Sequence, residues 1–120
     1  MRILLDTCEF LWLVSGDAKL SATFTAAIRD LNNQVFLNAV SFWEISIKHG
    51  LGKLPLPPPS AQFIPAQREK HFIAALALDE TAIAQWSGLP GLHRDPFDQM
   101  LVCQAQAHGP TLASSDPLVR

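Results

Sequence analysis

Cysteine is scarce in this chain: 120 residues carry only Cys8 and Cys103, far apart and outside any C-x-x-C spacing. That excludes a disulfide framework and a zinc ribbon, and both thiols are expected to be reduced and packed in the interior. Charge of one sign is lacking too, with nine Lys and Arg against eleven Asp and Glu and a formal net charge of −2. The chain therefore has no overall basic footprint of the kind phosphate binding leaves, although a metal ion can supply positive charge locally. Long apolar runs are missing. "ILL", "FLWLV" and "IAALAL" fall far short of the roughly 20 residues a membrane helix needs, and "MRILLD" lacks the long apolar region and small-residue cleavage site of a signal peptide. A cytoplasmic protein with no membrane partner is expected, without internal repeats or an interdomain linker.

What is present is a composition of 48% apolar and 17% charged residues. It is that of a globular chain able to close one core, so residues 1–120 read as a single domain. "ILL" before Asp6 reads as a short buried strand, and "CEFLWLVSG" has helical spacing that ends near Gly16. Ser21 caps a second helix that "NN" at Asn32 and Asn33 ends, and "VFLNAV" is a second strand. "SFWEISIKHG" opens with Ser41 as N-cap and Glu44 three residues on, an S-x-x-E capping box closed by Gly50. "LGKLPLPPPS" cannot be regular structure, because its prolines lack donors and extend their predecessors. A helix is expected within Ser60 to His71, broken or kinked at Pro65. "FIAALAL" is a third strand, Asp79 caps "ETAIAQWSGL", "PGLHR" is a loop, Pro96 to His108 forms a helix ended by Gly109, and "TLAS" is a last short strand. Strands and helices alternating in this way predict an α/β fold with a parallel sheet covered on both faces.

In such folds ligands collect where the carboxyl ends of strands meet the starts of helices. Four acids have that address. Asp6 ends the first strand and Asp116 lies just past the last, while Glu44 and Asp98 are expected in the first turns of their helices. In "HRDPFDQML", Asp95 stands before Pro96 as an N-cap and Asp98 falls at N3, where a carboxylate also favours the positive end of the helix dipole. Taken singly, each acid has a structural explanation: Glu44 completes its capping box, Asp98 serves the dipole, Asp6 caps the following helix, and Asp116 makes an Asx turn before Pro117. Taken together they would repel one another, since few Lys or Arg flank them. A hard divalent ion resolves that conflict and suits phosphodiester hydrolysis, because it polarises the phosphoryl oxygen and acidifies a water.

The motifs "LLDTCEFLWLVSG", "SFWEISIKHGLGKL", "HRDPFDQMLVCQA" and "TLASSD", in this order and spacing, resemble the PIN-domain ribonucleases, specifically the VapC-type toxins of toxin–antitoxin pairs, over nearly the whole chain. The resemblance implies a three-layer α/β/α fold with a central, mainly parallel sheet. It also implies an acidic site of Asp6, Glu44, Asp98 and Asp116 that binds Mg²⁺ or Mn²⁺ and cleaves RNA, a homodimer, and inhibition by a VapB-like antitoxin. The chain departs from the pattern in having Cys8 where many relatives have His, and in a short tail that implies a truncated or absent last edge strand.

A competing reading keeps the fold but makes the chain a silent module that engages an antitoxin or RNA without turnover; the presence of all four acids weighs against it. A haloacid-dehalogenase-like phosphatase needs an Asp where Cys8 stands, and a receiver domain needs an acid pair where "LLD" is followed by Thr7. His93, Arg94 and Asp95 suit either RNA contact or a solvated loop. Lys48, His49 and Lys53 suit either contact with a substrate backbone or, as the preferred reading, a dipole-favoured helix end; Trp12, Trp43 and Trp86 are spaced as core or interface aromatics, with Trp43 read as packing rather than base stacking.

Overall fold

A computed structural model describes residues 2–54, 59–85, 96–109 and 111–113. Its first strand, β1 (Arg2–Leu5), stops at Asp6, whose carboxylate accepts the Cys8 N–H at 3.0 Å and so caps helix α1 (Thr7–Ser15). Gly16 ends α1 in the left-handed region at φ 70°, where a side chain would be strained. Ser21 caps α2 (Ala22–Arg29) through a bond from the Phe24 N–H, and β2 (Gln34–Asn38) follows.

Helix α3 (Ala39–Gly50) begins three residues earlier than the capping box predicts. Asn38 is its N-cap and accepts the Val40 N–H at 2.7 Å. Ser41 is therefore inside the helix and buried, and Glu44 sits in the second turn, away from the positive end of the dipole. The rim residue wins because the strand ends at Leu37 and Asn38 in register with its neighbour, and Asn is as good an N-cap as Ser.

Helix α4 (Ser60–Lys70) runs through Pro65 without interruption. The proline removes one backbone bond at a cost of about 3 kcal/mol, and packing offsets it: Ile64 is fully buried in the core and Phe63 packs against it. Strand β3 (Ile73–Leu76), helix α5 (Glu80–Ala84) capped by Asp79, helix α6 (Pro96–His108) and strand β4 (Thr111–Ala113) complete the described elements. The "PGLHR" loop, Trp86, His93, Arg94, the expected Asp95 cap and any strand beyond Ala113 lie outside the described residues.

The four strands form one parallel sheet in the order β3-β2-β1-β4. Ile3, Val35 and Ile73 stand side by side, as do Leu5 and Leu37, and this face packs on Phe10 and Leu13 of α1, Ile28 of α2, Ile45 of α3 and Ile64 of α4. Leu4 points to the opposite face and is fully buried. There Gln104 of α6, also buried, donates to the Ala77 carbonyl just past β3 at 2.8 Å. Helices on both faces follow from the strand order. The chain steps from β1 to β2 to β3 in one direction and returns across the sheet to β4, and right-handed crossovers place the returning helices on the other side. The reversal falls between β1 and β4, so the crevice where such folds bind ligands opens at the carboxyl end of β1. Among the described residues no helix is long and apolar enough to cross a membrane.

Candidate active site

Asp6 stands at that crevice. It directly follows Leu5, which is paired with Leu37 on one side and Ala113 on the other, so the chain emerges from β1, β2 and β4 along one rim. Asp6 is 5% exposed and Glu44 is 4% exposed, a degree of burial that single surface acids do not show. The two are linked through Thr7. Its hydroxyl donates to Glu44 Oε1 at 2.7 Å across 37 residues of sequence. That bond locks the first turn of α1 to the second turn of α3, and it exists only because parallel pairing of β1 and β2 brings both helix entrances to the same edge.

The second oxygen of Glu44, Oε2, accepts from the Lys48 ammonium at 2.6 Å. Few Lys or Arg flank the acids in sequence, and one of those few, Lys48, engages Glu44. Lys48 lies four residues after Glu44 on the same helix, which is the favourable order for a Glu–Lys pair. The spacing was visible in the sequence, but its meaning depended on Glu44 facing inward. Of the other basic residues grouped with it, His49 donates through Nδ1 to the Leu54 carbonyl at 3.1 Å and so fastens the turn after α3.

Two further polar side chains are fully buried at the entrance of α3. Asn38 Nδ2 and Ser41 Oγ have no hydrogen-bond partner among the described residues. Each costs roughly 1–3 kcal/mol if left so, and buried unsatisfied groups gather where function outweighs stability. Glu9, which sequence reasoning passed over, is 1% exposed one turn after Asp6 on α1. Nothing in its sequence setting marked it, because an acid in the first turn of a helix is ordinarily solvated.

Asp98 is the third residue of α6, as its position after Pro96 predicts. Helix α6 meets α3 through an edge-on contact between Phe97 and Trp43, ring centroids 5.3 Å apart at 76°. These are the residues next to Asp98 and Glu44, so the backbone at Asp98 is held beside the turn that bears Glu44. Trp43 packs on Phe97 with one side and is otherwise 61% exposed. Asp116 and the side chain of Asp98 lie outside the described residues. Among the described residues no three His, Cys, Asp or Glu side chains are grouped to hold a metal.

The cysteines divide. Cys103 is buried, which pushes its thiol above the usual range, whereas Cys8 is exposed, contrary to the expectation that both are packed. Cys8 follows Thr7 at the start of α1, where one face of the helix looks outward. A separate recess of about 280 Å³ lies at the opposite, amino-terminal rim, with Arg29, Lys70 and His71 around it. Burial, then Lys70 and Arg29, lower the His71 pKa. With no carboxylate among its lining, that recess does not offer the hard-oxygen chemistry of the Asp6 rim.

A strand-end acid, a second acid brought to the same rim and a parallel sheet in the order 3-2-1-4 form one pattern. The family model that describes the PIN domain matches residues 3–118. The chain belongs to the PIN-domain family. Ribonuclease VapC16 of Mycobacterium tuberculosis is 40% identical to this PIN domain over 67 residues, which cover 54% of the chain and 48% of that protein. The match therefore spans about half the length of the curated relative. In three dimensions the PIN domain resembles a chain in the crystal structure of VapBC2 from Rickettsia felis bound to a DNA fragment from their promoter. The TM-score is 0.72 at 14% identity, with 97% of this chain and 89% of that chain covered. At that identity the likeness is one of fold.

Proposed function

We propose that this PIN domain is a metal-dependent endoribonuclease, the VapC-type toxin of a toxin–antitoxin pair, with Asp6, Glu44, Asp98 and Asp116 as its acidic site. The observation that carries this is the Thr7–Glu44 hydrogen bond, which joins the residue after Asp6 to a buried acid from a remote helix. The ribonuclease name of the Mycobacterium tuberculosis relative supports the activity. The VapBC2 structure supports a VapB-like antitoxin as partner. A homodimer and a cytoplasmic location belong to the same reading.

The described donors fit a hard cation: the buried carboxylate oxygens of Asp6 and Glu44 suit Mg²⁺ or Mn²⁺. Asp6, Glu44, Asp98 and Asp116 would hold it. When bound, such an ion supplies Lewis-acid charge at the phosphoryl oxygen and a water more acidic than bulk. The chain's own part is orientation. Asp6 is fixed by its bond to the Cys8 N–H, Glu44 by Thr7, and a carboxylate left outside the ion's shell is placed to take the proton of the attacking water.

The test is cleavage of single-stranded RNA with Mg²⁺, with Mn²⁺ and with EDTA, alongside Asp98→Asn. Cleavage should require the ion and disappear in the variant. Turnover that survives chelation would refute the reading, and tight antitoxin binding with no turnover would favour the silent module instead. Thr7→Val should lower cleavage 10–100-fold, the usual effect of removing the group that orients a metal ligand. It should also lower stability by about 2 kcal/mol, because a buried charged acceptor loses its donor. Thr7→Ser, which keeps the hydroxyl, should restore both in the same assays.

A further inference from the structure

Glu44 is held by two kinds of donor. The Thr7 hydroxyl on Oε1 is neutral and comes from the protein interior, while the Lys48 ammonium on Oε2 carries a full positive charge and comes from solvent. The side chain of Glu44 is 5% exposed and that of Lys48 48%. An ordinary Glu–Lys pair on a helix surface contributes little to stability. Here one partner is a buried carboxylate, a group that is costly to leave without a partner. The other partner is a long side chain that is about half exposed.

We infer that Lys48 is a positioning residue that stands in for the divalent ion at Glu44, keeping the carboxylate oriented before metal arrives and competing with the metal for Oε2. The inference rests on the acidic-site reading given above. A divalent ion that approaches Glu44 meets an oxygen already engaged by an ammonium at 2.6 Å, and a second positive charge close by. Binding must displace that head group, so Lys48 sets the affinity of the site for its ion. The geometry gives the competition a direction: Thr7 stays on the inner oxygen and holds the carboxylate's orientation while the outer oxygen exchanges one cation for another.

Mn²⁺ binding to the whole chain, measured by calorimetry without RNA, tests this with no reliance on activity. Lys48→Met, which keeps an apolar stem, and Lys48→Gln, which keeps a polar head without charge, should each tighten Mn²⁺ binding about tenfold, as expected from removing a unit charge a few ångströms from the ion. Lys48→Arg should stay within about threefold of the wild type, and Glu44→Gln should weaken binding. A merely structural role for Lys48 predicts the opposite sign, since loosening α3 weakens the site. Unchanged or weaker binding in both neutral variants, with a wild type that binds Mn²⁺ and loses it on Glu44→Gln, would overturn the inference and leave the nuclease reading standing. Absence of Mn²⁺ binding in the wild type would overturn both.

Discussion

Asp6→Asn is expected to reduce metal-dependent RNA cleavage by roughly 10²–10⁴-fold, the several kcal/mol that a correctly held ion supplies to phosphoryl chemistry, while leaving the folded state nearly unchanged. The substitution separates the two roles of Asp6. As an N-cap, Asp6 accepts the Cys8 N–H at 3.0 Å, and the amide oxygen of Asn can accept the same bond, Asn and Asp being of equal rank at N-caps. As a ligand, Asn carries no charge and offers a single acceptor oxygen. Thermal unfolding should therefore match the wild type within about 0.5 kcal/mol as cleavage and Mn²⁺ binding are lost. Asp6→Ala is the control. It should lose activity and in addition about 1 kcal/mol of stability with the cap. Full activity in Asp6→Asn would mean that the strand-end acid is a cap and nothing more.

Phe10→Ala is expected to cost about 3–5 kcal/mol, the usual range for emptying a large aromatic position in a core. Phe10 is fully buried one turn after Asp6, in the cluster with Leu5, Leu37 and Ile45. It is the anchor that sets α1 on the sheet and thereby sets where Asp6 and Thr7 stand. Against a total stability of about 5–15 kcal/mol for a domain, the loss should lower the melting temperature by roughly 10–25 °C. In urea the midpoint should fall with the slope unchanged, since the surface exposed on unfolding is nearly the same. A loss below about 1 kcal/mol would contradict the packing of α1 on this face.

Some of the fold was legible because its causes are local. Asp6, Ser21 and Asp79 cap helices through bonds to N–H groups two or three residues on, and Gly16 ends its helix at a positive φ. Such signals lie within one turn of chain. The short apolar strands were equally legible, and their alternation with helices foretold a parallel sheet. Where two local signals competed, the sequence misled. Ser41 and Glu44 spell a capping box, yet Asn38 caps α3 because the end of β2 is fixed by its pairing with β1. Pro65 spells a break, yet α4 continues because Ile64 is buried beside it.

The sequence by itself determined the end of β1, the acid that follows it and the starts of α1, α2 and α5, since each depends on hydrogen bonds and sterics within a few positions. Only the tertiary structure decided that Thr7 reaches Glu44, that both oxygens of that carboxylate are engaged, that Lys48 rather than solvent faces it, and that Trp43 lies exposed against Phe97. Those contacts depend on the register of β1 with β2 and on how α6 returns across the sheet. Register is a property of the assembled strands, and no short stretch of chain contains it.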